Sequence, residues 1–297
     1  MSDPQLSLRG RVVVVTGAAQ GLGRAESLAF AARGGYVVAV DVLDTAETVE
    51  AIRRQGHEAI GIEANLAARD SAQPVVDAAL DAYGAIDVLV NNAGVVRDRM
   101  SFNLPSEEWE LVLAVNLSAS FYLASAVARH WRVEPTTTGR SRSIINTSSE
   151  SGLYGNAGQA NYAAAKSGVA ALTLTLAAEL ERYGVRVNAI APRARTPMSA
   201  QAFDELPKAG PHDAFAPESV AAVVAWLASD AAHDVTGQVL VVHGTAIQVM
   251  QTWSVVRSVQ RRGTWTDREL LRLRDELFPD GRSQYLAPPI AELFVES

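Results

Sequence analysis

Residues Val12-Val13-Val14-Val15-Thr16 run directly into Gly17-Ala18-Ala19-Gln20-Gly21-Leu22-Gly23, and this junction restricts the fold more than any other stretch of the chain. An unbroken β-branched run has no wet face, so it reads as a central parallel strand covered on both sides. The glycines permit a sharp turn and a close backbone approach, and Arg24 to Arg33 continues as a helix that stops at Gly34-Gly35. A strand feeding a helix through such a turn offers unpaired N–H groups and the positive end of a helix dipole, which suits a pyrophosphate. Tight βα turns without a ligand use the same glycines, so the following strand has to discriminate.

That strand, Tyr36 to Val40, ends in Asp41. A dinucleotide fold places there the acid that binds ribose hydroxyls. A carboxylate favours the free hydroxyls of NAD and repels the 2′-phosphate of NADP. Gln20 and the stretch from Val42 to Ala46 add no cation, and Arg24, the one nearby, has a solvated or structural place inside its helix. A strand-end turn is the plainer role open to Asp41.

The alternation then continues. Helices are expected over Thr45 to Gln55, Asp70 to Tyr83, Ser106 through Asn116 to about Trp131, Ala160 to Leu180, and Pro217 to Ser229. Strands are expected over Ala59 to Glu63, Ile86 to Asn91, Ser143 to Thr147, Val185 to Ile190, and Gly237 to Val242. This order predicts an α/β fold: one Rossmann-type, doubly wound parallel sheet of about seven strands, with helices on both faces, over residues 1–244. Residues 193–217 carry four prolines and little periodicity, and read as a substrate lid, a disordered surface loop being the plainer alternative. Residues 245–297 form a C-terminal extension with an amphipathic helix at Thr266 to Phe278, capped by Thr266, that caps the site, contacts another subunit or packs passively.

Over 297 residues, 48% hydrophobic and 20% charged composition is that of a globular protein, and a net charge of −7 gives no attraction to nucleic acid or anionic membrane. Without cysteine there is no disulfide, thiolate nucleophile or Cys-type zinc site. His57, His130, His212, His233 and His243 are scattered, so no metal site is expected. Met1 to Arg11 lacks a cationic segment followed by an apolar core, and no apolar run is read as long enough to span a bilayer, so a cytoplasmic protein is expected.

The chemistry concentrates late. Tyr162 and Lys166, four residues apart in an Ala-rich helix, emerge on one face, and Ser149 follows a β-favouring run and belongs at a strand's C-terminal end. Asn116 sits mid-helix, where an amide needs a specific partner, and Asn91-Asn92-Ala93-Gly94 closes a strand with groups suited to a ligand.

These residues together resemble the short-chain dehydrogenase/reductase family: Thr16-Gly17, Gly21-Leu22-Gly23, Asn91-Asn92-Ala93-Gly94, Asn116, Ser149 and Tyr162 with Lys166, in that order over about Leu8 to Gly244. The resemblance implies an NAD-dependent enzyme interconverting a secondary alcohol and a ketone. Tyr162 is then the general acid/base, Ser149 holds the reacting oxygen, Lys166 favours the phenolate and binds ribose, and Asn116 holds a water linking Lys166 to solvent. It also implies cofactor contacts from Gly17, Gln20, Gly21, Leu22, Gly23, Asp41, Asn65, Leu66, Asn92, Ala93, Gly94, Pro192 and Thr196, and a homodimer or homotetramer built on the helices around Asn116 and Tyr162.

The chain departs from the family pattern at Asn65, where many relatives have Asp, and at Arg193, where Gly is common. Arg97-Asp98-Arg99-Met100, and Gly152 to Asn156 leading into Gln159-Ala160-Asn161-Tyr162, resemble more closely the 3-hydroxyacyl-CoA dehydrogenases, including the region found in type 2 multifunctional enzymes. Hydroxysteroids and other bulky alcohols stay open as substrates. Arg97, Arg99, Arg193 and Arg195 are available in sequence for a CoA phosphate, although loop cations are ordinarily solvated. A non-catalytic NAD-binding sensor or scaffold, and an epimerase or dehydratase using bound NAD, are the readings from other classes.

Overall fold

The computed structural model describes residues 4–134, 141–199, 213, 215–244, 246–251, 253–261 and 263–278. Its strands are β1 (Val12–Thr16), β2 (Tyr36–Asp41), β3 (Ala59–Glu63), β4 (Val88–Asn91), β5 (Arg142–Thr147), β6 (Val185–Pro192), β7 (Val239–His243) and β8 (Ala246–Val249). They form one sheet in the order β3-β2-β1-β4-β5-β6-β7-β8, parallel except for the antiparallel pair β7–β8. The sheet therefore has eight strands, one more than the sequence reading. Ala246–Val249 is too short to announce itself by periodicity and pairs antiparallel with β7.

The helices are α1 (Gly21–Ala31), α2 (Ala46–Arg54), α3 (Ala72–Tyr83), α4 (Ser106–Leu113), α5 (Ala119–Val133), α6 (Glu150–Tyr154), α7 (Ala160–Leu180), α8 (Pro217–Ala228) and α9 (Asp267–Leu277). Successive β1 side chains enter opposite cores. Val12 and Val14 pack with residues of α3, α5 and α7, whereas Val13 and Val15 pack with residues of α1, α2 and α8. That double coverage is why the strand tolerates no polar face.

The chain forms two compact units, Met1–Val249 and Met250–Ser297. In the second, α9 begins at a capping box in which Thr266 and Glu269 satisfy each other's backbone N–H groups, as the N-cap reading of Thr266 anticipates. Of the expected lid, residues 200–212 and 214 lie outside the described residues, as do 279–297 of the extension.

Two helical stretches, Ser106–Val133 and Ala160–Tyr183, are long and apolar enough to cross a membrane by length and composition, contrary to the reading that no apolar run reaches that length. Half of the most apolar window in the first, and 44% in the second, is buried inside the protein. Their apolar residues Leu123, Val127, Leu176 and Leu180 belong to the core under the sheet. The first stretch also exposes Trp109, Leu111 and Phe121.

The order reverses between β1 and β4, and the C-terminal ends of strands flanking such a switch point frame a crevice.

Candidate active site

The glycine turn lies at this crevice. Gly17 and Gly21 have φ of +68° and +55°, the left-handed region open to glycine. Proximity imposes a second demand: a Cβ on Gly17 would sit 2.9 Å from the Ala93 Cα, and one on Gly23 only 2.2 Å from the Gly17 carbonyl oxygen. The turn is locked to the end of β4. The Thr16 hydroxyl accepts from the N–H groups of Asn92 (2.9 Å) and Ala93 (3.0 Å), and the Asn92 amide donates to the Thr16 carbonyl at 2.9 Å. Gly23→Ala is therefore expected to displace the turn, weakening dinucleotide binding at least about tenfold in a fluorescence titration with NADH. Unchanged affinity in a folded variant would show that the turn holds no ligand.

At the end of β2 the Asp41 carboxylate accepts from Ala19 N–H and Leu43 N–H, each at 3.0 Å. It thus performs the turn-residue role and still faces the crevice. Arg24 is engaged with Glu47 at 2.9 Å, which places it in the structural role. Asn65 closes a turn of its own, its carbonyl accepting from Ala67 N–H at 3.1 Å.

A cavity of about 390 Å³ opens over these elements. Its walls include Gly17, Gln20, Gly21, Leu22, Asp41, Asn65, Leu66, Asn92, Ala93, Gly94, Ser149, Tyr162, Lys166, Pro192 and Thr196, so the sequence-predicted residues converge apart from Gly23 and Asn116. Gly23 supports the turn from behind. Asn116 lies in a π-helical turn, Ala114–Ser118, inserted between α4 and α5. The extra residue frees backbone carbonyls, and such turns recur at functional sites. The Asn116 amide donates to the Val95 carbonyl at 2.8 Å and the Val112 carbonyl at 2.9 Å. Its Oδ1 is buried, without a protein partner, against Gly94, where a Cβ would be 2.7 Å away.

Ser149 caps α6, its side chain accepting from Ser151 N–H at 3.2 Å. It is hydrogen-bonded to Tyr162. The neighbouring serines are committed elsewhere: Ser148 donates to the Lys166 carbonyl at 2.8 Å, and Ser151 to the Gln159 side chain at 2.6 Å. Lys166 is 2% exposed, and its ammonium donates to the Thr147 carbonyl at 2.7 Å and lies 5.5 Å from the Tyr162 ring centroid.

Burial dominates the electrostatics. It pushes the Tyr162 phenol up to about 12, against the downward pull of its bond to Ser149, with the Asp98 carboxylate adding a smaller upward push. Burial brings the Lys166 amine down to about 7.

Sequence reasoning marks Asn91 and Asn161 as members of their motifs but misses Asn146, Thr173 and the bonds that join them. Asn91 donates to the Asn146 carbonyl at 2.9 Å, and Asn146 to the Thr173 hydroxyl at 2.9 Å, forming an amide ladder beneath the site. Asn161 ties the loop after β4 to α7, donating to the Arg97 carbonyl at 3.0 Å. An amide inside an apolar strand such as Ser143 to Thr147 is the one signal that could have found the ladder. The loop cations are not uniformly solvated. Arg193 is 3% exposed and paired with Glu150, Arg99 pairs with Glu108 at 2.8 Å, Arg195 pairs with Asp213 at 3.1 Å, and the exposed Arg97 donates to the Val96 carbonyl.

Residues 11–207 match the family model described as short chain dehydrogenase. The chain is 43% identical over 285 residues to hydroxyacyl-CoA dehydrogenase ChsB1 of Mycobacterium tuberculosis, covering 90% of this chain and 89% of that protein. It is 40% identical over 245 residues to peroxisomal multifunctional enzyme type 2 of Mus musculus, covering 79% of this chain and 32% of that longer protein. A crystal structure of a short chain dehydrogenase from Mycobacterium avium superposes with a TM-score of 0.83 at 41% identity, covering 93% of this chain and 97% of that one. Fold, site geometry and kinship agree, and the chain belongs to the short-chain dehydrogenase family of oxidoreductases.

Proposed function

We propose that this enzyme is an NAD-dependent oxidoreductase interconverting a secondary alcohol and a ketone, with Tyr162 as general acid/base. The observation that carries the reading is the meeting of the Tyr162 phenol, the Ser149 hydroxyl and the Lys166 ammonium in the cavity that also receives the glycine turn and Asp41.

The residues present fit a dinucleotide. The cradle at Gly17 and Gly94 has no room for a Cβ, and α1 starts beside the cavity with no acid in its first turn to neutralise its dipole. Gly21 and Leu22 would hold the pyrophosphate, Asp41 the adenosine ribose, and Asn65 and Leu66 the adenine side. Lys166 would hold the second ribose, and Pro192 and Thr196 the nicotinamide side. Bound there, NAD supplies the hydride acceptor for alcohol oxidation.

The rest is done by this chain. Ser149 orients the substrate oxygen and donates to the charge that develops on it. Tyr162 takes the hydroxyl proton in oxidation and returns it in reduction. The Lys166 ammonium, when protonated, opposes burial by favouring the phenolate. The unpartnered Asn116 Oδ1 supports the role of water holder on a path from Lys166 to solvent.

A 3-hydroxyacyl-CoA is the favoured substrate. The two stretches that resemble dehydrogenases of that class are bonded to each other: Arg99 N–H donates to the Gly158 carbonyl at 2.7 Å, and Gln159 to Asp98 at 2.9 Å. The name of the relative from M. tuberculosis supports the same class. The test is a panel of secondary alcohols, hydroxysteroids and 3-hydroxyacyl-CoA esters, following NADH absorbance. Release of NADH is expected with the CoA esters, at a specificity constant for NAD at least about tenfold above that for NADP, because Asp41 repels a 2′-phosphate. No net reduction of NAD with any alcohol would favour an epimerase, a dehydratase or a silent binder, and equal constants would remove Asp41 from cofactor choice.

A further inference from the structure

Glu150 follows Ser149 directly in sequence, and Arg193 follows Pro192 at the end of β6. Their side chains form a bidentate pair: Arg193 Nε donates to one Glu150 oxygen at 2.5 Å and Nη2 to the other at 2.6 Å. The arginine side chain is 3% exposed and the glutamate 22%. A fork-to-fork pair fixes orientation as well as distance, and in a covered site it is not loosened by solvent.

Neither residue lines the cavity, yet each adjoins residues that do: Ser149 on one side, Pro192, Ala194 and Thr196 on the other. The Ser149 turn has further anchors. Ser151 donates to Gln159, and α6 is pressed on α7 so closely that a Cβ on Gly152 would lie 2.5 Å from the Ser167 backbone nitrogen. Both tie the turn to the α7 side. The Glu150–Arg193 pair ties it to the end of β6 through side chains, beside the Ser148 backbone N–H bond to the Ile190 carbonyl at 2.6 Å, and Arg193 is in turn set by its backbone N–H bond to the Val242 carbonyl at 2.9 Å.

We propose that Arg193 and Glu150 are positioning residues that set the Ser149 hydroxyl against Tyr162 and hold the β6 end at a fixed distance from it. The proposal rests on the assignment of Ser149 and Tyr162 to the reaction. The charged and titratable groups around the pair are the Tyr154 phenol, raised by burial and by Glu150, and His243, lowered by burial and by Arg193. Those around the Tyr162 phenol are Lys166 and Asp98. Loosening Ser149 weakens the bond that pulls the Tyr162 phenol downward.

The test uses the full chain with Glu150→Gln, Arg193→Met and the double variant. Acetoacetyl-CoA with NADH is assayed, or, if that one is inert, the ketone formed from the panel alcohol that the parent oxidises fastest. Each single variant is expected to lose about tenfold in kcat, since small misplacement of an orienting group costs turnover, with NADH affinity in a fluorescence titration within about twofold. The double variant should lose no more than the worse single, the mark of two groups acting as one.

In alcohol oxidation, the pH at which Glu150→Gln gains activity should lie above that of the parent, a displacement that a general loss of folded enzyme would not produce. If Arg193→Met fails to fold, Glu150→Gln with a cooperative melt decides alone. Parental kcat and pH profile in that variant, or additive losses in the double, would overturn the positioning role. If Tyr162→Phe abolishes turnover while Glu150→Gln keeps the parental kcat and pH profile, the reaction assignment stands and this inference alone fails.

Discussion

Replacing Tyr162 by Phe should lower kcat by about a thousandfold while changing NADH affinity less than about twofold, because the variant removes proton transfer and little else. The ring keeps its place on α7. The Lys166 ammonium is held by the Thr147 carbonyl and so does not depend on the phenol oxygen for its position. The accompanying pH signature has a definite sign. Burial holds the phenol up at about 12, so oxidation, which needs the phenolate, should accelerate as pH rises, and a positive ring bound nearby should bring that rise to lower pH. The rise should vanish in the variant. Steady-state kinetics across pH, beside the titration of bound NADH, check both statements, and turnover within about tenfold of the parent would remove Tyr162 from the chemistry.

The second large effect concerns stability. Lys166 is buried, and its amine falls from 10.5 to about 7. Between those values the unfolded chain binds a proton that the native state does not, so native stability rises with pH through this window and is lowest, on account of this group, below it. Lys166→Met should therefore stabilise the ligand-free protein at pH 6. The gain is about 3 kcal/mol, taking about 1.4 kcal/mol for each pH unit of the difference and subtracting one lost hydrogen bond to Thr147. The advantage should shrink toward pH 10 and there reverse, leaving the variant slightly weaker for want of that bond.

Turnover should be lost below about pH 7, where the parent amine is protonated and the methionine bears no charge to support the phenolate, and should stay low above it, where the methionine still cannot hold a ribose. Thermal unfolding of both proteins at pH 6, 8 and 10 tests the sign. A variant less stable than the parent at pH 6 would show that the ammonium is already fully compensated within the native fold. A lysine that behaves in this way in both assays would be a direct case of stability exchanged for activity.

The sequence makes plain whatever is carried by neighbours along the chain. Val12 to Gly23 declares strand, turn and helix because both the β-branched run and the glycines act locally, and Tyr162 with Lys166 declares a shared helix face through spacing alone. Asp41 is recognisable because its distance from the glycine turn is set by one helix and one strand. What stays hidden depends on partners distant in sequence. Asn116 signals that it needs a partner, but neither the Val95 carbonyl nor the π-helical insertion is visible in the residues around it. Arg193 looks like a solvated loop cation until the fold brings Glu150 to it from 43 positions away. The four-residue β8 and five-residue α6 are too short to show a period of either kind.

The lock between the glycine turn and the end of β4 bears on how the enzyme acquires its binding surface during folding. β1 can pair early with β2, whose partner residue for Val12 is Tyr36, but its other neighbour pairs Val13 with Val88, a contact of far greater loop closure. The Asp87 carboxylate accepts from Val12 N–H, and the Asn92 amide donates to the Thr16 carbonyl, once that second pairing exists. A half-assembled chain thus carries the glycine turn without the clamp that shapes it. On the proposed function, a dinucleotide would therefore gain its full hold on the chain after the sheet has closed across its switch point, and would act as a latch on the completed fold rather than as a template for its beginning.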